Sequence, residues 1–292
     1  GKFNLNDKLQ AHLFELDTLE LGERTFLQVL THSAGLYPWI PFYRETLCDS
    51  IDELPVDTMF KRIYLSELKP AGDYKYSDLG FYLIYKMLNE EHHHYHAIDS
   101  ISKHNLFNPL GLSSMGYTPN CCFELDRIAP TEKDQVFRKC TVHGSVHDPG
   151  AHMLGGVCGH AGLFSDAHDL ARLGTMMLNG GTYGGYRYCQ PETIEKWTSR
   201  AYPDSENRRA IGFDKKGLNP DEGSASTLAS DESYGHSGFT GTLLWIDPTY
   251  DLVFVFLSNR TYPSAENGKL ISMNVRTEIQ RVIMEQILLE EL

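Results

Sequence analysis

Three stretches of this sequence hold side chains that can move protons or grip a polar substrate. The first is Tyr76-Ser77-Asp78, which opens the apolar run LGFYLIYKML. The second is Tyr234-Gly235-His236-Ser237-Gly238-Phe239-Thr240-Gly241. The third is Gly155-Gly156-Val157-Cys158-Gly159-His160-Ala161-Gly162-Leu163-Phe164-Ser165, running into Asp169-Leu170-Ala171-Arg172. A phenol donates or accepts, and an ionised carboxylate only accepts. An imidazole changes charge near neutral pH. Taken singly, each residue has an ordinary structural reading. Tyr76 is a packing residue at a helix start, and Asp78 is a charge matched to the helix dipole. His236 is a core or rim residue of a strand. Ser237 is a hydrogen-bonding strand residue, because the pattern G-x-S-x-G fails at Phe239.

The elements that must position these residues follow from periodicity and breakers. Glu23 to Thr31 places Phe26, Val29 and Leu30 on one helical face, with Gly35 as the stop. A buried helix is predicted to start near Ser77 and run to Leu88, and another to span Ala97 to Leu106, closed by Asn108-Pro109. Ile128 to Gly162 reads as loop. Ser165 is the expected N-cap of DAHDLARLGTMMLNG, which ends at Gly180-Gly181. Pro191 opens a further short helix. Gly235–Thr240, Thr242–Ile246 and Leu252–Leu257 read as strands, with Asp247-Pro248 and Tyr250-Asp251 as turns. Leu270 to Leu289 reads as one long amphipathic helix. Helices first, then an antiparallel meander and a closing helix, predict an α+β fold with helices packed on a sheet. Residues 1–292 are read as one domain, with a helical subregion over about 20–200 and the sheet with its closing helix over about 205–292.

In this order the motifs resemble the serine β-lactamase and penicillin-binding-protein superfamily, in particular its class C-like, esterase-like branch. That family shows S-x-x-K, then Y-x-N, then K-T-G or H-[ST]-G. Tyr76-Ser77-Asp78 resembles the second motif and His236-Ser237-Gly238 the third. Leu30-Thr31-His32-Ser33-Ala34-Gly35-Leu36 is similar to LTHTSGL, and Tyr76 to Gly80 to YSNLG. Asn108-Pro109-Leu110-Gly111-Leu112 is similar to the PLGM turn, and Trp245-Ile246-Asp247-Pro248 to the strand paired with the third motif. The wording H-S-G-F-T-G and G-H-A-G-L-F-S also resembles a β-lactamase-like module fused behind family 3 glycoside hydrolases. The resemblance implies an α/β sandwich of the β-lactamase/transpeptidase type.

The resemblance also implies where chemistry would sit. The nucleophile motif is expected about five helical turns before residue 1, because Gly1-Lys2-Phe3-Asn4-Leu5-Asn6-Asp7 is similar to the stretch that follows it in the family. The N-terminal strands and nucleophile helix are therefore expected to be missing from residues 1–292, leaving an exposed sheet edge prone to self-association. Ser66–Lys69 and Ser100–Lys103 spell S-x-x-K but lack the apolar helix context. Tyr76 and His236 are the implied catalytic residues. Asp78, Ser237, Gly238 and Phe239 are the implied substrate-binding residues, with the Phe239 N–H as one oxyanion donor. Asp78 stands where the family has an amide, and His236 where β-lactam-binding enzymes have lysine. Both departures argue against an efficient β-lactamase and for an esterase, a D-amino-acid peptidase or amidase, or a non-catalytic domain appended to a glycoside hydrolase of the β-N-acetylhexosaminidase type. The implied substrate is a small molecule or peptidoglycan fragment, and the implied location is periplasm or cell envelope.

Composition narrows the alternatives. Twenty-six Lys and Arg against 39 Asp and Glu give a net charge of −13, which leaves no basic footprint for nucleic acid. No stretch reaches the roughly 18–20 apolar residues of a membrane span. The six cysteines, Cys48, Cys121, Cys122, Cys140, Cys158 and Cys189, form no C-x-x-C pair and are expected to be buried free thiols. His92-His93-His94-Tyr95-His96 and the set His143, His147, Asp148, His152, His160 raise a zinc question. The expectation here is that neither binds a metal and that no cofactor is needed.

Overall fold

The computed structural model describes residues 3–48, 55–219 and 222–290. Two compact units divide the chain. The first comprises Gly1–Asn105, Gly116–Ile128 and Asp134–Phe164, and the second Leu106–Met115, Ala129–Lys133 and Ser165–Leu292.

The first unit is helical. Its core gathers Leu9, Leu13 and Leu16 with Phe26, Val29, Met59, Ile63, Leu79, Tyr82 and Leu83. Burying each such side chain contributes about 1.5–3 kcal/mol. The Phe26–Leu30 helix is set by a reciprocal capping box between Thr25 and Gln28. It ends at Thr31, four residues before the expected stop, because the chain turns at His32 (φ 55°). The Val56–Tyr64 helix buries Met59, Phe60, Ile63 and Tyr64 on one face. The predicted buried helix runs from Leu79 to His92, and His93 (φ 49°) ends it. The histidine-rich segment spans this helix end and the exposed turn after it, and His96 is the N-cap of the next helix. The Ala97–Ser102 helix continues as a π-helical turn, Lys103–Phe107, and the short helix Asn108–Leu110 carries the chain past the expected stop.

The second unit carries the main sheet. Its strands are Asp214–Lys215, Tyr234–Ser237, Leu243–Asp247 and Leu252–Phe256. They pair antiparallel in chain order, with Gly235 opposite Trp245 and Phe254 opposite Trp245 on the other side. The Asp214–Lys215 strand was not expected; two charged residues carry no strand pattern. The Ala167–Leu178 helix lies on the sheet. A Cβ on Gly174 would come within 2.6 Å of Val253 Cγ1, so glycine permits the approach. Its N-cap is Asp166, not Ser165: the Asp166 carboxylate accepts from the Asp169 N–H at 2.9 Å. A two-oxygen acceptor one residue nearer took the position. The long C-terminal helix is two pieces, Lys269–Ser272 and Val275–Glu290, divided where Asn274 turns left-handed (φ 49°). The fold is mixed helix and antiparallel sheet, as the sequence predicts.

Candidate active site

In the first unit, the segment around His32 to Pro38 holds Tyr76-Ser77-Asp78 by its backbone. The Lys75 N–H donates to the His32 carbonyl at 2.8 Å and the Asp78 N–H to the Pro38 carbonyl at 3.0 Å. The Ser77 N–H donates to His32 Nδ1 at 3.1 Å, and Ser77 Oγ donates to the Tyr37 carbonyl at 2.7 Å. Ser77 Oγ also accepts from the Leu79 N–H at 3.2 Å, which starts the helix. Gly35 (φ +74°) lets this segment turn against Lys69, whose N–H donates to the Gly35 carbonyl at 2.9 Å. Ser77 is thus spent on structure, and its neighbours are presented.

Tyr76 is 42% exposed, unusual for an aromatic ring seated on a helix start. The buried His32 ring supports it from below, with centroids 4.3 Å apart and planes 31° apart. The Tyr76 hydroxyl lies near enough to the Asp78 carboxylate to favour its ionised form. Burial lifts the Asp78 carboxyl above its ordinary value; His160 pulls it down, Asp148 pushes it up, and the Tyr76 hydroxyl pulls it down. The sequence set aside His160 and Asp148 as a metal question. Here His160 Nε2 donates to Asp148 Oδ1 at 2.9 Å, with the His160 side chain only 4% exposed. The rest of that histidine set scatters. His143 Nε2 donates to the Ile128 carbonyl at 2.5 Å, and His152 meets the edge of Phe137 at 5.9 Å. Among the described residues no group of three His, Cys, Asp or Glu is placed to hold a metal ion.

In the second unit, the G-H-S-G segment lies on the strand beside Trp245. Neither glycine is needed for a left-handed backbone. A Cβ on Gly235 would overlap the Leu244 carbonyl and come within 2.6 Å of Trp245 Cε3, and one on Gly238 would overlap Thr242 Oγ1. The turn beyond is closed by the Gly238 N–H donating to the Thr242 carbonyl at 2.8 Å. Arg276 Nη1 donates to the carbonyls of Thr242 at 2.9 Å and Gly238 at 3.3 Å. His236 Nδ1 donates to the Ser237 carbonyl at 2.8 Å. Burial and the nearby Arg209 hold its imidazole below its ordinary value. Ser237 Oγ lies 2.9 Å from Ser224 Oγ. Phe239 is 65% exposed, with the Arg260 guanidinium 4.4 Å from its ring centroid.

One member of each S-x-x-K string has a local structural role. Ser66 Oγ donates to the Ile63 carbonyl at 2.8 Å, and Lys103 lies 3.5 Å from Asp99. The cysteines depart from expectation in burial. Cys121, Cys122 and Cys140 are exposed and Cys189 half-buried, with Cys158 buried; all five are free thiols. Cys48 lies where no side chain is described.

The family model described as Beta-lactamase matches residues 1–272. The chain belongs to the Beta-lactamase family. A Salmonella agona protein named "Putative D-alanyl-D-alanine carboxypeptidase" is 30% identical over 92% of this chain. Its Salmonella gallinarum counterpart, of the same name, is 32% identical over 92% of the chain. The chain spans 66% of the length of each of these relatives. A penicillin-binding protein homolog from Caulobacter crescentus superposes with a TM-score of 0.65 at 19% identity, covering 89% of this chain and 71% of that one. EstCE1, a hydrolase with promiscuous acyltransferase activity, gives a TM-score of 0.64 at 18% identity over 94% of this chain and 78% of its own. This Beta-lactamase family chain therefore shares the fold of the penicillin-binding protein homolog and of the EstCE1 hydrolase. Among the described residues no helix is long and apolar enough to cross a membrane.

Proposed function

We propose that this chain supplies the tyrosine-bearing and histidine-bearing parts of a serine-type acyl-transfer hydrolase of the cell envelope. Its substrates are small peptides, esters or amides derived from the cell wall. One observation carries the reading: Tyr76 is 42% exposed, yet its ring is braced by His32 and its hydroxyl lies near Asp78. A phenol whose orientation is fixed while its face stays open is suited to relay a proton between a serine and a leaving group. His236 acts as a hydrogen-bonding group. Asp78, Ser237, Gly238 and the Phe239 N–H bind the substrate. Neither S-x-x-K string within residues 1–292 suits a nucleophile, so the serine is supplied from outside them, and these residues alone do not turn over substrate. The Leu252–Phe256 strand, last in its sheet among the described residues, is the edge through which they would self-associate.

The test is turnover by the full-length protein of a D-alanyl-D-alanine peptide, an activated ester and a β-lactam. Hydrolysis of the ester, which carries no anion, is expected to exceed β-lactam hydrolysis, because an ionised Asp78 repels an anionic substrate. A folded full-length protein that acylates with none of the three refutes the proposal.

A further inference from the structure

The sequence leaves a difficulty at Asp78. A carboxylate in place of an amide puts a buried negative charge beside the residue that must handle the proton. A second carboxylate, Asp148, lies close enough to push Asp78 further toward protonation. A protonated Asp78 would lose one acceptor oxygen and gain a donor, and the Tyr76 hydroxyl would lose its ionised neighbour. Something must hold the charge in place.

The structure places one imidazole there. His160 is buried, and its Nε2 donates to Asp148 Oδ1 at 2.9 Å. Asp148 cannot swing away, because the same oxygen caps the Pro149–Met153 helix by accepting from the Ala151 N–H at 2.7 Å. The imidazole is stacked on the Tyr82 ring, with centroids 4.3 Å and planes 22° apart. Tyr82 is one helical turn beyond Asp78, so the two share a face of the Leu79–His92 helix. Two glycines make the fit possible. A Cβ on Gly159 would come within 2.5 Å of the Phe81 carbonyl, and one on Gly150 would overlap the Tyr82 hydroxyl. The G-H-A-G and H-D-P-G segments are therefore pressed against the turn of helix that carries Asp78.

We propose that His160 is a positioning residue for the Tyr76–Asp78 pair: its imidazolium, clamped by Asp148 and seated on Tyr82, supplies the positive charge that keeps Asp78 an ionised acceptor for the Tyr76 hydroxyl. The titratable groups facing it are few. They are Asp148 at the cap of the Pro149–Met153 helix, Asp78 and Tyr82 on the Leu79–His92 helix, and Cys158 on its own segment. His147 faces Asp148, and Tyr76 faces Asp78. Burial works against the imidazolium, but the Cys158 sulfur and the Asp148 carboxylate outweigh it, and His160 stays well above its ordinary value. The inference rests on the function proposed above, but its first test does not need activity.

That test is an NMR titration of the His160 ring in isotopically labelled full-length protein, assigned by its loss in His160→Gln. The ring is expected to be protonated at pH 7.5. Asp78→Asn should lower its titration midpoint by about one pH unit, the effect of removing one neighbouring opposite charge. Cys158→Ala should leave the ring protonated at pH 7.5. A neutral ring, a midpoint indifferent to Asp78→Asn, or a ring that turns neutral in Cys158→Ala overturns the proposal. The second test is kinetic. His160→Gln should lower kcat about tenfold or more while KM stays within about twofold, the mark of an interaction made in the transition state. It should also move the acid limb of the pH profile upward, because Asp78 then protonates more easily. An active wild type with an unchanged profile in the variant sinks the positioning role and leaves the functional reading intact. An inactive wild type with the expected titration does the reverse. Should His160→Gln not fold, the Asp78→Asn and Cys158→Ala titrations decide alone.

Discussion

Asp148 gives the most detailed forecast. One oxygen, Oδ1, accepts from the Ala151 N–H at 2.7 Å and from His160 Nε2 at 2.9 Å. Asp148→Ala removes a helix N-cap, about 1 kcal/mol. It also strands a buried imidazolium, about 3–5 kcal/mol for a broken buried pair. His160 limits the damage at neutral pH by losing its proton, so a total of about 4 kcal/mol is expected at pH 6. Asp148→Asn keeps an oxygen in place and loses only the charge assistance, about 1–2 kcal/mol. The pH dependence has a definite sign. His160 is held above its ordinary value of 6.5, so its share of stability is complete below pH 6.5 and fades as pH rises through the folded-state value. Asp148 is held below its ordinary value of 3.8: burial alone would raise it, and His160 overcomes that, so its share is complete above 3.8 and lost toward stronger acid. The gap between wild type and Asp148→Ala should be widest between pH 3.8 and 6.5 and narrow in alkali. Urea denaturation followed by circular dichroism measures it. With a slope of about 3 kcal/mol per M, the midpoint should fall by about 1.3 M at pH 6. Equal, pH-independent losses for the Ala and Asn variants would refute the reasoning.

Other perturbations have expected outcomes. Gly150→Ala should lower the urea midpoint by an amount worth about 1–3 kcal/mol, since its methyl overlaps the Tyr82 hydroxyl; an unchanged midpoint would mean the two segments are not pressed together. Gly235→Ala should destabilise the sheet by a similar amount through Trp245 and abolish turnover in the full-length protein. Lys215 is buried and donates to the Glu232 carbonyl at 2.8 Å. Burial, with nearby Arg200, pushes it down to about 8. Because its folded-state value lies below 10.5, wild type should gain on the order of 3 kcal/mol over Lys215→Met between pH 8 and 10.5. Parallel stability curves for the two proteins across that range would show that Lys215 is not desolvated.

Much of the sheet was legible because each strand has a chemical boundary. Asp247 ends one by accepting from the Ser230 N–H at 2.8 Å and from Thr249, and Asp251 (φ 48°) begins the next. The Leu79–His92 helix was legible from its continuous apolar run, but its end was not, because Asn89 to His92 carry no breaker. The divided C-terminal helix was hidden for the same reason: Asn274 is an ordinary helix residue until its φ becomes positive. The motif residues themselves were legible through order along the chain. Their support was not. His32 lay inside a recognised motif without a role, since nothing in the spacing says that its ring lies under Tyr76. Asp148 and His160, twelve residues apart, raised only a metal question, because spacing cannot tell which imidazole faces which carboxylate. Two tight glycine contacts settle that, and both depend on tertiary packing.

The central claim is that Tyr76 handles the proton in serine acylation. The direct measurement is the rate at which the full-length protein forms a covalent acyl adduct with an activated ester, followed by mass spectrometry, in wild type and in Tyr76→Phe. Phenylalanine keeps the ring on His32 and removes only the hydroxyl. The account predicts a stoichiometric adduct in wild type and acylation slower by about 10²–10⁴-fold in the variant. Acylation of Tyr76→Phe at the wild-type rate would contradict it.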